Sequence, residues 1–403
     1  MTGTSTAQKA PHLTTLTLWI MTIATCLVVA NIYYSQPLLA EIALKFNISS
    51  SAAQSVATLT QAGYAAGMLF IVPMADMFER KRLILIALAV DTVALVATGL
   101  APNINLLLLS SFLVGAASMA PQLLIPMAAH LAKPNERGKK IGFVMSGLLL
   151  GILLSRTLSG VVAAHFGWRC IFFIAAGLMV IIGLLINFFL PEVEADYDGN
   201  YGQLMASIVQ IVKEEPKLRF AAIRGALCFA CFSIFWVSLP FMLKQNFNLG
   251  SDVAGSFGLL GAAGALAAGF MGRLSDKMDA FKLSFFTLLL ILLSFVLMLF
   301  SGHFMVGLII GVIVMDAGVQ ATHISNQAII FALNPEARNR INTVYMVTYF
   351  IGGAAGTLLT SIIWKTYHWE GVCISSIALS LLAIVVHLLN HRSMQNKSEG
   401  VQN

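Results

Sequence analysis

The chain is 403 residues long, 58% hydrophobic and 10% charged, with a formal net charge of +6. A soluble domain carries charge on about a quarter of its residues, and a chain this apolar lacks the polar groups to cover its own surface. Soluble enzymes are therefore excluded, and the basic residues lie in short blocks between apolar runs, leaving no long tract suited to nucleic acid.

A helix that crosses a bilayer needs about 20 apolar residues. Taken in chain order, the apolar runs predict twelve such spans. The first six cover about 16–39, 53–75, 83–101, 105–130, 141–164 and 168–190. The second six cover about 220–243, 252–274, 283–301, 304–330, 341–363 and 370–390. Leu16–Ala30 runs into Asn31-Ile-Tyr-Tyr-Ser-Gln-Pro37 and not into a small-residue cleavage site, so it reads as a retained first span. The organisation expected is a six-helix bundle over 1–190, a polar connection over 191–219, and a second bundle with its tail over 220–403. Within the connection, Gln203–Val212 has the apolar spacing of a helix lying on a membrane surface.

Lysine and arginine set the orientation. With the N-terminus inside, 19 of the 24 fall in cytoplasmic segments, among them Arg80–Arg82, Lys139, Lys140 and Arg224. Four fall outside, and Arg156 lies within a span. That asymmetry predicts a multi-pass membrane protein of twelve spans with both termini cytoplasmic. The five cysteines sit in or beside apolar segments, and Cys228 and Cys231 form a C-x-x-C without a second pair. They read as packing thiols, with a redox or metal role as the alternative.

The two sets of spans match at an offset of 200 or 201. Pro134-Asn-Glu-Arg137, Met145, Gly151 and Trp168 correspond to Pro335-Glu-Ala-Arg338, Met346, Gly352 and Trp369 at 201, and Asp76 to Asp276 at 200. Parallel repeats of this kind build the facing bundles of secondary transporters. The loop after span 2, Pro73-Met-Ala-Asp76-Met-Phe-Glu-Arg80-Lys81-Arg82, and its second copy, Gly272-Arg-Leu-Ser-Asp276-Lys277, resemble the G-x-x-x-D-(R/K)-x-G-R-(K/R) loop of the major facilitator superfamily. In the first copy Val72, Met77 and Glu79 replace the two glycines and the first basic residue. Asn31-Ile-Tyr-Tyr-Ser-Gln-Pro-Leu-Leu39 and the Pro-x-x-Arg loops further resemble bacterial drug:proton antiporter-like exporters. Ser111 stands before Gly115 where such exporters place an arginine, and span 5 has Gly147 and Gly151 but no Gly-Pro. The resemblance implies an all-α membrane fold of twelve helices. It also implies a cavity lined by spans 1, 4, 7 and 10, and a cytoplasmic charge latch of Asp76, Arg80, Lys81, Asp276 and Lys277.

Three ionisable residues lie deep within spans: Asp91, Arg156 and Asp316. Each costs about 2.5–3.5 kcal/mol at mid-bilayer, so each needs a reason. At 1.5 Å per residue, Arg156 and Asp316 stand at about the same height, and Asp91 lies nearer the cytoplasmic edge. Arginine stays charged while a buried carboxyl group can take a proton. The pair therefore reads as a proton-coupling couple, against a permanent ion pair or two residues that never meet. For Asp91 the readings are coupling or local packing.

Asp316, Gln320, His323 and Gln327 share one face of span 10; Ser111, Gly115, Ser118 and Gln122 form a stripe on span 4, and Asn31 and Tyr34 do so on span 1. Such stripes line a cavity or hydrogen-bond between helices, and His323 either titrates or is a fixed bonding group. Tyr33, Tyr34, Phe232, Phe235 and Trp236 offer either an aromatic wall for the substrate or ordinary packing. Glycines recur in spans 2, 5, 8 and 11: Gly63, Gly67, Gly147, Gly151, Gly255, Gly258, Gly261, Gly264, Gly352, Gly353 and Gly356. By resemblance they lie between the bundles and permit rocking.

The sequence shows no ATP-binding loop, metal cluster or catalytic constellation and implies no cofactor. Its partners are a small-molecule substrate, protons and lipid, and the reading is of a monomer. The function expected is proton-coupled efflux of drug-like or amphipathic compounds. Transport of sugars or organic anions in either direction, or a receptor without flux, are the alternatives.

Overall fold

The computed structural model describes residues 13–133, 136–193, 199–261, 280–301, 304–333 and 337–399. Helices begin where a side-chain oxygen can accept a free backbone N–H. Thr14 caps α1 (Thr15–Ala30), Ser49 caps α3 (Ser50–Phe70), and Asn103 caps α5 (Ile104–Ala117). The remaining elements are α2 (Leu39–Phe46), α4 (Arg80–Leu100), α6 (Pro121–Leu131), α7 (Arg137–Phe166), α8 (Cys170–Phe189), α9 (Tyr201–Glu214) and α10 (Pro216–Phe247). They are followed by α11 (251–261), α12 (Ala280–Ser301), α13 (Met305–Phe331) and α14 (Arg338–Glu399). The repeat is visible in backbone geometry: α2 and α10 both end on an asparagine in left-handed conformation, Asn47 (φ 53°) and Asn248 (φ 54°), 201 residues apart.

Among the described residues nine segments are long and apolar enough to cross a bilayer. The last of them, Arg340–Asn390, has 51 residues and turns sharply at His368 (φ 42°, ψ −134°), so it supplies two crossings. Thr15–Ala30 and the helical residues 251–261 stand where the first and eighth spans are expected. Large apolar side chains such as Trp19, Phe166, Phe188 and Phe300 cover the outer surface, as a lipid-facing protein requires.

Several expectations need correcting. Span 1 is not one helix: after Ala30 the chain turns through Asn31–Ser35 and re-enters a short 3-10 turn, Gln36–Leu38, before α2. Span 4 breaks at Ser118–Ala120 between α5 and α6, where Pro121 has no N–H to continue the ladder. Helix α9 packs against α14, α10 and the 3-10 turn Val72–Asp76. Leu204 and Ile208 are its buried residues, and Tyr201 donates to the Phe70 carbonyl at 3.0 Å. Arg224, counted above with the cytoplasmic charges, is fully buried at 0% exposure inside α10.

In the first half α1 packs on α7 and α8, α3 on α5, and α4 on α8 and α5. In the second half α10 packs on α14 and α13, and α12 on both of these. Most of the glycines serve these contacts and not the space between halves. Gly63 and Gly67 meet the backbone of Phe112 and Ala116, Gly147 and Gly151 that of Thr22 and Cys26, and Gly352 and Gly356 that of Ala226 and Ala230. A methyl group at any of them would collide with main chain, which cannot yield as a flexible side chain can. Between the halves α3 packs on α14, and α7 closely approaches α11. A Cβ at Gly255 would lie 3.0 Å from the Gly160 Cα, and one at Gly258 would lie 3.0 Å from the Arg156 Cβ. Gly353 also serves the other junction, against Gln61. Gly264 lies outside the described residues.

Candidate functional site

The absence of side chains at Gly255 and Gly258 lets α11 seat itself on α7 at the turn that carries Arg156. Arg156 is 2% exposed, and its surroundings come from both halves. From the turn after α1, Gln36 Oε1 accepts from Arg156 Nε at 2.8 Å and the Tyr33 ring lies 4.8 Å from the guanidinium. From α10, Trp236 lies 4.0 Å and Phe232 5.3 Å from it. Such stacking is worth about 2 kcal/mol when desolvated, and it replaces part of the hydration the cation has lost. Arg156 Nη1 reaches the Ile152 carbonyl at 3.4 Å, and Nη2 has no partner.

Asp316, on α13, is 5% exposed. A Cβ on Gly261 would lie 2.9 Å from its Oδ2, so that glycine too makes room for the site. Arg156 and Asp316 sense one another's charge, but no direct salt bridge joins them. They meet around Trp236 instead: the guanidinium lies on its face, and the indole N–H is directed at the carboxylate without closing a full hydrogen bond. Arg156 Nη2, Trp236 Nε1 and Asp316 Oδ1 are all buried and unpartnered.

Asp91 belongs to a different place. It is 0% exposed within the first half, where Oδ2 accepts from Asn31 Nδ2 at 2.8 Å and from Ser118 Oγ at 3.2 Å. Asn31, expected to line the cavity, is thereby turned into the core of its own half. Tyr34 follows it, lying near Asp91 and Cys26. The break at Asn31–Ser35 explains this, because a helical face cannot be extrapolated through a turn. Tyr33 and Gln36, on the far side of the turn, are the residues that reach Arg156.

Gln122 donates to the Tyr64 hydroxyl at 3.2 Å. It also lines a cavity at the basic end of the molecule with Met68, Asp76, Arg80, Arg340 and Asn342. His323 bonds the Tyr345 hydroxyl at 3.0 Å and lies 4.8 Å from the Tyr349 ring; Gln320 is half-buried on the same helix. Asp76 pairs with Arg80 at 3.9 Å, whereas Lys81 is half-buried beside them on α4. Asp276 and Lys277 lie outside the described residues.

Sequence reasoning missed Gln36 and the whole Arg224 cluster. Arg224 gives Nε to Asn326 Oδ1 at 2.8 Å and Nη1 to His387 Nδ1 at 2.8 Å, and Nη2 also bonds Asn326. Asn326 Nδ2 contacts the Tyr345 hydroxyl at 3.4 Å, which links the cluster to His323. The opposite end of the molecule is closed between the halves. Ser251 donates to Glu41, Ser51 to the Ser361 carbonyl, and Thr157 to the Gly255 carbonyl at 3.0 Å.

The chain matches the family model described as Major Facilitator Superfamily over residues 21–356 and again over 226–401, which echoes the internal repeat. It is 43% identical over 368 residues to the Uncharacterized transporter YgaY of Escherichia coli O157:H7, covering 91% of this chain and 93% of the relative. It is 32% identical over 369 residues to the Probable transporter SCO4007 of Streptomyces coelicolor, covering 91% and 86%. The fold is also that of a solved bacterial homologue of the human lysosomal transporter Spinster, in an inward-facing and unoccupied conformation. That match has a TM-score of 0.77 at 15% identity, covering 94% of this chain and 97% of the other. By helices, repeat and relatives alike, this multi-pass membrane protein is a transporter, not an enzyme, and belongs to the Major Facilitator Superfamily.

Proposed function

We propose that the chain is a proton-coupled exporter of small amphipathic molecules, with its basic end and both termini on the cytoplasmic side of a bacterial inner membrane. Residues 1–190 and 220–403 rock against each other, joined by 191–219, and a single chain is the working unit. The observation that carries this reading is the arrangement at Trp236. A base from one half and an acid from the other are both buried, and each keeps one unused valence beside an aromatic wall. A permanent structural ion pair would have closed those valences.

The cycle follows from the same geometry. Hydrogen bonds join the halves at Glu41–Ser251 and Ser51–Ser361, and a cavity lies at the basic end; in this reading the path from that cavity to Asp316 opens during the cycle. A carboxylate facing a wet cavity can exchange a proton with water, and Arg156 remains charged throughout. Protonation of Asp316 removes the charge that Arg156 senses, so the balance of attraction between the halves differs between the two proton states. Substrate and proton thereby bias the same pair of conformations, as coupling requires. Asp76–Arg80 steadies the basic end when it closes.

The test is Asp316→Asn in proteoliposomes with an imposed proton gradient and a fluorescent amphipathic dye. The variant inserts as wild type does, and gradient-driven flux falls to the level left by a protonophore. Undiminished gradient-driven flux would remove Asp316 from the coupling mechanism.

A further inference from the structure

Asp91 takes no part in the Arg156–Asp316 site, yet among the described residues it is as deeply buried as any ionisable group. Its surroundings are fully specified. Asn31 and Tyr34 face it from the turn after α1, and Ser118 from the break between α5 and α6, with Met179 of α8 3.4 Å from Asn31 Nδ2. None of these carries a positive charge, and among the described residues no lysine, arginine or histidine pairs with Asp91. Buried carboxylates are ordinarily paired or richly hydrogen-bonded, and this one has two donors, both on Oδ2.

The remaining atoms carry the argument. Asp91 Oδ1 has no hydrogen-bond partner, and neither does Asn31 Oδ1, though the two residues already share the bond from Asn31 Nδ2 to Asp91 Oδ2. Two acceptors on bonded neighbours, both sealed from water and both without a donor, lack one hydrogen between them. An ionised aspartate has none to give, whereas a protonated one has a donor O–H. The last torsion of each side chain is soft, so the groups can turn into register without leaving their rotamers.

We propose that Asp91 carries a proton in this conformation and forms a carboxylic acid–amide pair with Asn31. Asn31 Nδ2–H donates to Asp91 Oδ2, and Asp91 Oδ1–H donates to Asn31 Oδ1. This is a second proton-binding site, separate from Asp316, and it stands whether or not the proposed coupling at Asp316 does. Its connection to transport is short. Asn31 opens the turn whose next residues include Tyr33, stacked on Arg156, and Gln36, bonded to Arg156 Nε. When the proton leaves to water, the pair opens to a single hydrogen bond. Asn31 is then held more loosely, and so is the segment that positions Arg156.

Infrared spectroscopy of the purified full-length protein tests this directly, because a neutral carboxyl group has a C=O band that a carboxylate lacks. At neutral pH we expect such a band in wild type and in Asp316→Asn. It is absent in Asp91→Asn and shifted to the frequency of a free acid in Asn31→Leu. If Asp91→Asn does not purify, the shift between wild type and Asn31→Leu decides alone. A wild-type spectrum without an Asp91-dependent neutral band means an ionised, water-bridged aspartate and overturns the proposal. A band that vanishes with Asp316→Asn and persists in Asp91→Asn overturns it equally, while leaving the Asp316 reading intact.

Discussion

The two halves of the transporter each bury one ionisable group in their own core, and the groups are of opposite kind. The first half holds Asp91 beside Asn31, and the second holds Arg224 beside Asn326. Both groups are 0% exposed, both lean on an asparagine amide, and among the described residues neither is in a salt bridge. They differ in how completely they are satisfied. Each of the three Arg224 nitrogens has a partner, on Asn326 or His387. Asp91 uses one oxygen twice and the other not at all. A closed network behaves as part of the scaffold, while a network short of one hydrogen is a place where a proton can come and go. The repeat has therefore diverged at its cores: the second half keeps a fixed charge, and the first keeps a titratable one.

The largest expected effect is at the closed network. Arg224→Leu leaves Asn326 Oδ1 and His387 Nδ1 buried without their donors. At about 1–3 kcal/mol for each orphaned group, the loss is about 2–6 kcal/mol of stability. Thermal unfolding in detergent measures it, and an unchanged melting temperature would mean that the cluster is not the scaffold its geometry suggests. The open network should tolerate more. Asp91→Leu orphans the Asn31 and Ser118 donors, but Asn31 keeps Met179 and the Ser118 hydroxyl can turn to a carbonyl, so the cost is about 1–3 kcal/mol. Asp91→Asn supplies an N–H where the acid had its O–H and costs under about 1 kcal/mol. Were Asp91→Leu the more damaging of the two leucine variants, the contrast between the halves would be reversed.

How much of this was legible beforehand depends on the range of the interaction. Long apolar runs and their 201-residue offset are properties of contiguous sequence, so spans and repeat could be read directly. The breaks at Asn31–Ser35 and Ser118–Ala120 fall inside apolar runs, where hydropathy has no contrast, and they bring Asn31 and Tyr34 beside Asp91. Arg224 misled for a related reason. It sits near the start of an apolar run, preceded by Lys217 and Arg219, and an arginine there looks like any topology-setting charge. What buries it are Asn326 and His387, 102 and 163 positions away, and no local pattern announces partners at that distance. Arg156 and Asp316 stood out in the sequence because an ion in mid-span carries a cost that needs a reason. That α11 seats on α7 beside Arg156 depends on glycines whose contacts the sequence does not specify.

The smallest effect on stability is expected where the two halves meet. Trp236 holds Arg156 against its face and directs its N–H at Asp316, but that N–H closes no bond. Trp236→Phe keeps an aromatic face for the guanidinium and deletes a donor that is unused in this conformation, so stability should change by less than about 0.5 kcal/mol. Transport is a different measurement, because it samples every conformation in the cycle. If the indole N–H bonds Asp316 or the substrate in another state, losing a bond of about 1.4 kcal/mol there lowers flux about tenfold. Flux measured beside the melting temperature separates the two roles. Flux that falls while stability holds makes the indole N–H a working group of the site. Flux that tracks stability reduces Trp236 to the wall on which Arg156 rests, and leaves Asp316 to answer to the arginine's charge alone.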